Sequence, residues 1–302
     1  MIGKEVHRDE AGRLRRSRAT GVLAVVLLLA ASVPAPCDPA KVAEPRSLTY
    51  RQVGARALAA HVFRPGPPGG ARPAVLLFHG GAWRLGEPAW VFDRAREFAA
   101  SGLVAIAIEY RLSNDGLSPI DAVEDACAAF AWVRGSADEL GIDPRRVAGY
   151  GVSAGGHLVA AAATLPSVRG REVAARERPD ALLLVSPALD MARNEYFVEL
   201  MAGSGNPASY SPAEFVSRGL SPTLIIQGEE DTIVLARDAR AFCAAAEKAG
   251  ATCRLQAYPK LGHLLTRNLK VQYKDFDSDP VASDDAGRRE RAFLVSLGYV
   301  RE

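Results

Sequence analysis

In the stretch GYGVSAGGH, residues 149–157, a single serine stands among four glycines. A strand-like run, RVAGYGV, precedes it and an alanine-rich run, LVAAAAT, follows. The pattern Gly151-x-Ser153-x-Gly155 therefore ends one element and opens another. A bare G-x-S-x-G is as readily a plain turn. At a strand-to-helix junction it matches a nucleophile elbow, where small neighbours tolerate a sharply bent backbone. The helix that follows also brings unpaired N–H groups and a positive dipole end to the hydroxyl. We read Ser153 as a nucleophile on these grounds.

A serine hydroxyl needs a base, and the base needs an orienting acid. Five histidines are available. His7 lies in the amino-terminal leader and His61 in an early strand. His79 sits in a glycine loop, where bracing the turn is the ordinary role. His157 lies one helical turn past Ser153 on a rigid helix, which suits a core histidine bonded to a backbone group. His263, in YPKLGHLL after the last strand, remains as the expected base. For the acid, TLIIQGEEDTIV offers Glu229, Glu230 and Asp231 after a strand. Sites of this kind run Ser, acid, His along the chain, and Asp231 is preferred over its competitor, Asp190 in VSPALD, because it lies after the strand adjacent in sequence to the His263 loop. Upstream, HGGAW at 79–83 ends a strand in small residues. Its amides at Gly81 and Ala82, together with that of Ala154, are the expected donors to a developing oxyanion, a role that requires them about 2.7–3.1 Å from the charge.

The elements that must position these groups are legible as apolar runs alternating with amphipathic ones, a pattern of parallel strands and crossover helices. PAVLLFH, LVAIAIEY, RVAGYGV, DALLLVS, TLIIQG and RLQAYP read as strands, several apolar on both sides of the alternation, as in strands buried on both faces. Helices are expected over 87–102, 118–134, 239–250 and 288–299. The stretch 187–220 is too long for an ordinary connection and is expected to be a small excursion over the sheet edge.

At the amino terminus, a basic start with Arg13, Arg15, Arg16 and Arg18 runs into the apolar GVLAVVLLLAASV and then PAPCDPAK. This is the order of a secretory signal, and the apolar run falls short of the roughly 20 residues a membrane span needs. We expect a leader over 1–35, with a membrane anchor as the alternative, a linker over 36–47, and one catalytic domain over 48–302. Export follows, to the periplasm or beyond. Membrane association is expected only through an uncleaved leader or a lipid on Cys37. The formal net charge is +2, and the excess sits in the leader, so nothing asks for nucleic acid. Four cysteines are too few for a disulfide scaffold, and their spacing suggests no metal site. Cys127 reads as a buried thiol. Cys243 and Cys253 flank a helix-to-strand connection, where either a bridge or two free thiols fit.

With these residues on the page, the chain resembles the α/β-hydrolase superfamily. Within it the chain is similar to bacterial esterases related to hormone-sensitive lipase and to the feruloyl and acetyl esterase group. The matching motifs are HGGAW at 79–83, EYRL at 109–112, DAVEDACAAFAWV at 121–133, GYGVSAGGHL at 149–158, SPTLIIQGEEDTIV at 221–234 and GHLL at 262–265. The resemblance implies a mostly parallel central sheet flanked by helices, with a small cap or none, and a Ser153–His263–Asp231 triad cleaving short-acyl esters without a cofactor or metal. It also implies that the 187–220 excursion and Trp83 shape the mouth of the pocket. Where related esterases often carry a third glycine in the amide loop, Ala82 stands here, and it still offers its N–H. An arylformamidase or peptidase would use the same apparatus, and an inactive hydrolase-like binding protein is the alternative from a different class.

Overall fold

The six apolar runs are strands, and two more precede them. The computed structural model describes residues 38, 42–66, 70–114, 116–274 and 276–301; the leader over 1–35 and Cys37 lie outside the described residues. β1 (Arg46–Val53) and β2 (Arg56–Phe63) form an antiparallel hairpin. β3 (Arg72–Phe78), β4 (Val104–Ile108) and β5 (Ile142–Val152) follow, then a two-stranded surface hairpin, β6 (Ser167–Val168) and β7 (Arg171–Glu172). β8 (Ala181–Val185), β9 (Thr223–Gly228) and β10 (Cys253–Tyr258) complete the main sheet, whose order is β1-β2-β4-β3-β5-β8-β9-β10. From β4 to β10 every pairing is parallel, and only the β1 and β2 pairings are antiparallel. This is the α/β-hydrolase architecture.

The reason the strands read as continuous apolar runs is visible in β4. Val104, Ile106 and Ile108 face one core, Ala105 and Ala107 the other, and all five are buried. Helices cover both faces. α1 (Phe92–Ala100), preceded by a 3-10 turn at Pro88–Val91, packs on one side with the carboxyl-terminal α7 (Pro280–Ser296). α2 (Pro119–Gly135), followed by the short α3 (Ala137–Leu140), packs on the other with α4 (Ala154–Thr164) and α6 (Ala236–Lys248). α2 starts at a Ser-Pro cap: Asp121 accepts from the Ser118 N–H at 2.9 Å, and its own N–H donates to the Ser118 carbonyl at 3.0 Å. α7 begins eight residues before the expected Arg288. Asp279 caps it by accepting from Ala282 N, with Pro280 in the first turn, and the local apolar pattern carried no trace of this.

The 187–220 stretch does not run over a sheet edge. It leaves β8, an interior strand, forms α5 (Glu195–Leu200) and 3-10 turns at Pro207–Tyr210 and Pro212–Phe215, and packs on α4 and the amide loop through Phe197 and Tyr210. Cys243 on α6 and Cys253 at the start of β10 form a disulfide, and Cys127 is a buried free thiol. Among the described residues, no helix is long and apolar enough to cross a membrane.

Candidate active site

β5 ends at Val152 and α4 begins at Ala154, so Ser153 alone makes the turn between them. It does so at φ 53°, ψ −114°. A non-glycine residue held at such dihedrals costs of the order of 1–3 kcal/mol and persists only where its surroundings over-determine it. Here they do. Ser153 N donates to Val185 O at 2.9 Å, and Ser153 O accepts from His157 N at 3.1 Å. The glycines around it are required by packing: a Cβ on Gly151 would lie 2.3 Å from Gly155 O, and one on Gly155 would lie 2.1 Å from Phe78 O. The helix is thereby drawn directly onto the ends of β5 and β3, and the hydroxyl is left part-exposed at the carboxyl edge of the sheet.

His263 reaches that hydroxyl from the loop after β10. Its Nε2 lies 3.0 Å from Ser153 Oγ, and its Nδ1 lies 2.8 Å from Asp231 Oδ2, on the loop after β9. A carboxylate oxygen can only accept, so Nδ1 carries the ring proton and Nε2 accepts from the serine O–H. Both His263 and Asp231 are buried. Asp231 is held on every side: Oδ2 also accepts from Gln227 Nε2 at 3.0 Å, and Oδ1 accepts from the N–H groups of Ile233 and Val234 at 2.9 and 3.0 Å. The His263 loop is bent through two left-handed residues, Leu264 (φ 54°) and Leu265 (φ 60°). Ser186 Oγ, at the end of β8, accepts from Leu264 N at 3.1 Å and holds the bend in place.

The amide loop leaves β3 beside the elbow. A Cβ on Gly80 would stand 3.4 Å from Ser153 Cβ. Gly81, Ala82 and Trp83 follow at φ 117°, 52° and 60°. Among the described residues, the amides of Gly81, Ala82 and Ala154 donate to nothing, which leaves them open to an acceptor bound over Ser153. The loop is braced from β4: Tyr110 Oη donates to His79 O at 2.9 Å, and Ser113 N donates to Trp83 O at 2.7 Å. Arg111 anchors that brace through buried ion pairs to Asp121 and Asp125 on α2. His79 Nδ1 donates to Gly80 O at 2.5 Å, and burial pulls its pKa down to about 4, so it stands there as a neutral strut.

Trp83 is not at a pocket mouth. It is 3% exposed, and its indole N–H donates to His157 Nδ1 at 3.1 Å, while its ring packs edge-on to Phe197. A buried indole N–H needs an acceptor, and the neutral His157 supplies one from beneath the loop. His157 is itself fully buried, donates from Nε2 to Tyr210 O at 2.9 Å, and has its pKa lowered to about 4 by that burial. It is a core histidine bonded to the backbone, as expected. Asp190 pairs with Arg193 at 3.3 Å, and the carboxylate bonded to His263 is that of Asp231. Gln227, Ser186 and Tyr110 escaped sequence reasoning because a buried polar residue at a strand end has no distinguishing local pattern; each acts on a residue far away in the chain. Among the described residues, no group of three or more His, Cys, Asp or Glu is placed to hold a metal ion.

A family model described as alpha/beta hydrolase fold matches residues 75–202. An arylesterase of Saccharolobus solfataricus is 36% identical over 130 residues, which is 42% of this chain and 42% of that protein, so the match spans less than half of the curated relative. Among solved structures, Thermogutta terrifontis esterase 2 phosphonylated by sarin superposes with a TM-score of 0.77 at 28% identity, covering 85% of this chain and 96% of that one. The butyrate-bound form of the same esterase superposes with a TM-score of 0.74 at 28% identity, covering 85% and 95%.

Proposed function

We propose that this chain, which has the α/β-hydrolase fold, is a serine-dependent carboxylic ester hydrolase acting on short-acyl esters through Ser153, His263 and Asp231. The observation that carries this reading is the unbroken hydrogen-bonded line from Ser153 Oγ through His263 to Asp231, lying beside three amides with no partner among the described residues. The butyrate held by a structural neighbour supports a small acyl group, and the esterase names of the relatives favour an ester over an amide.

The chemistry follows from the geometry. As Ser153 Oγ attacks the ester carbonyl, its proton passes to His263 Nε2, and the imidazolium so formed is stabilised through Nδ1–H by Asp231. The carbonyl oxygen gains charge where the Gly81, Ala82 and Ala154 amides stand free, and one such donor is worth about 10²–10³ in kcat. His263 returns the proton to the leaving alcohol, which departs and leaves an acyl group on Ser153. A water deprotonated by the same nitrogen then attacks the acyl carbonyl, and the acid is released.

Ser153→Ala tests the reading. Turnover of a short-chain p-nitrophenyl ester is expected to fall by at least about 10⁴-fold with the thermal melt preserved. Turnover within tenfold of wild type would reject it. A parallel set of formamides and peptide amides, ranked by kcat/KM against esters, separates ester cleavage from amide cleavage on the same triad.

A further inference from the structure

We propose that Gln272 is a positioning residue: its side-chain amide sets the spacing and orientation of the Asp231 loop against the His263 loop, and so aligns the imidazole for proton transfer. The proposal rests on the reading of Ser153, His263 and Asp231 as the reacting set.

The two loops follow different strands, and acid and base stand 32 residues apart in the chain. Two backbone hydrogen bonds join the roots of the loops, from Glu229 N to Tyr258 O and from Glu230 N to Leu261 O, both at 2.9 Å. Both stop short of Asp231 and His263. Gln272 ties the loops beyond that point. Its Oε1 accepts from Thr232 N at 3.1 Å and from His263 N at 2.9 Å, and its Nε2 donates to Glu230 O at 2.8 Å and Leu269 O at 3.4 Å. The amide thus grips the residues on either side of Asp231 and the backbone of His263 itself. All four of its hydrogen-bonding positions are used, and two donors on the oxygen with two carbonyls on the nitrogen leave one orientation of the amide. The side chain is 3% exposed, so water cannot replace these bonds. The chain also makes room for it: a Cβ on Gly262 would lie 2.5 Å from the amide carbon of Gln272. A positioning group matters here because displacements of about 1 Å at a reacting pair can cost 10²-fold in rate.

Gln272→Leu keeps most of the volume and removes every hydrogen bond. Gln272→Glu keeps both acceptor contacts and loses the two donations. For Gln272→Leu we expect kcat on a short-chain ester to fall about 10- to 100-fold with KM within threefold. The acid limb of kcat/KM should move to lower pH, because an imidazolium less well served by Asp231 gives up its proton more easily. Gln272→Glu is expected to recover part of kcat. The downfield proton resonance of the His263 Nδ1–H bond, read by NMR on the free protein, should weaken or shift in Gln272→Leu. A Gln272→Leu protein with kcat within twofold of wild type, an unmoved acid limb and an unchanged resonance would overturn the proposal. Should that variant not fold, an unchanged kcat and acid limb in Gln272→Glu and Gln272→Met would overturn it equally. If Ser153→Ala retains ester turnover, the functional reading fails on its own, and the NMR resonance still reports what Gln272 does to the two loops.

Discussion

Replacing Asp231 by asparagine tests the proton path more sharply than deleting the nucleophile, because the surroundings of that side chain dictate the outcome. Oδ1 of Asp231 accepts from the backbone N–H groups of Ile233 and Val234, which cannot reorient. In the asparagine variant the amide oxygen must therefore stay on those two donors, and its NH₂ takes the place of Oδ2. That group would face His263 Nδ1, 2.8 Å away in the parent, and Gln227 Nε2, 3.0 Å away. Donor would meet donor at both. His263 relieves its side by moving the ring proton to Nε2, which then points at Ser153 Oγ and can accept nothing. The expected loss is about 10⁴-fold in kcat, or about 5–6 kcal/mol of transition-state stabilisation. Gln227 has a remedy of its own, since its Oε1 is buried without a partner among the described residues, but rotating the amide takes Nε2 off Val234 O. We therefore expect a stability loss of about 1–3 kcal/mol. The assay is kcat/KM on p-nitrophenyl butyrate for Asp231→Asn and for Asp190→Asn, alongside urea unfolding. Asp190→Asn should stay within about threefold of wild type, as it only releases Arg193. An Asp231→Asn protein within tenfold of wild type, or an Asp190→Asn protein impaired more than Asp231→Asn, would refute the reasoning.

Three further outcomes are expected. His79 and His157 are buried as neutral rings with pKa pulled to about 4, whereas the unfolded chain protonates histidine near 6.5, so the unfolded state binds the extra protons as pH falls. Stability should drop by about 1.5 kcal/mol per histidine between pH 6.5 and 5, before most carboxylates titrate; equal urea-unfolding free energies at those two pH values would contradict this. Reduction of the Cys243–Cys253 bridge, which closes a loop of sequence separation 10, should cost about 3 kcal/mol and leave kcat unchanged. The bridge also fits our reading of an exported protein. Chain recovered from an extracytoplasmic fraction should lack the leader and carry both cysteines oxidised, and chain found only in the cytoplasm with free thiols would count against export.

What the sequence discloses here is whatever is encoded within about ten residues. The strands are legible because burial on both faces leaves runs such as VAIAI without polar interruption. The elbow is legible because close approach to β3 admits only glycine at 155, which writes itself into the pattern. His157 and His263 can be told apart from the rigidity of the helix under one and the loop under the other. The rest depends on contacts between distant segments. That Trp83 is buried follows from His157, 74 residues on, accepting its N–H, and nothing near either residue announces the pairing. The seat of the 187–220 excursion depends on Phe197 and Tyr210 meeting that same pair. The early start of α7 hangs on one cap at Asp279, in a stretch where apolar periodicity is too weak to reach back.

The line from the Trp83 indole through His157 to the Tyr210 carbonyl has a bearing on anyone who would re-engineer this protein. The catalytic strands and the 187–220 excursion are not separable modules, because a carbonyl contributed by the excursion fixes which nitrogen of His157 is free to hold the tryptophan under the amide loop. A transplanted excursion that brings no oxygen to that point would leave the ring free to turn over, and the change would be felt at the charge-stabilising end of the site before any substrate contact had been altered.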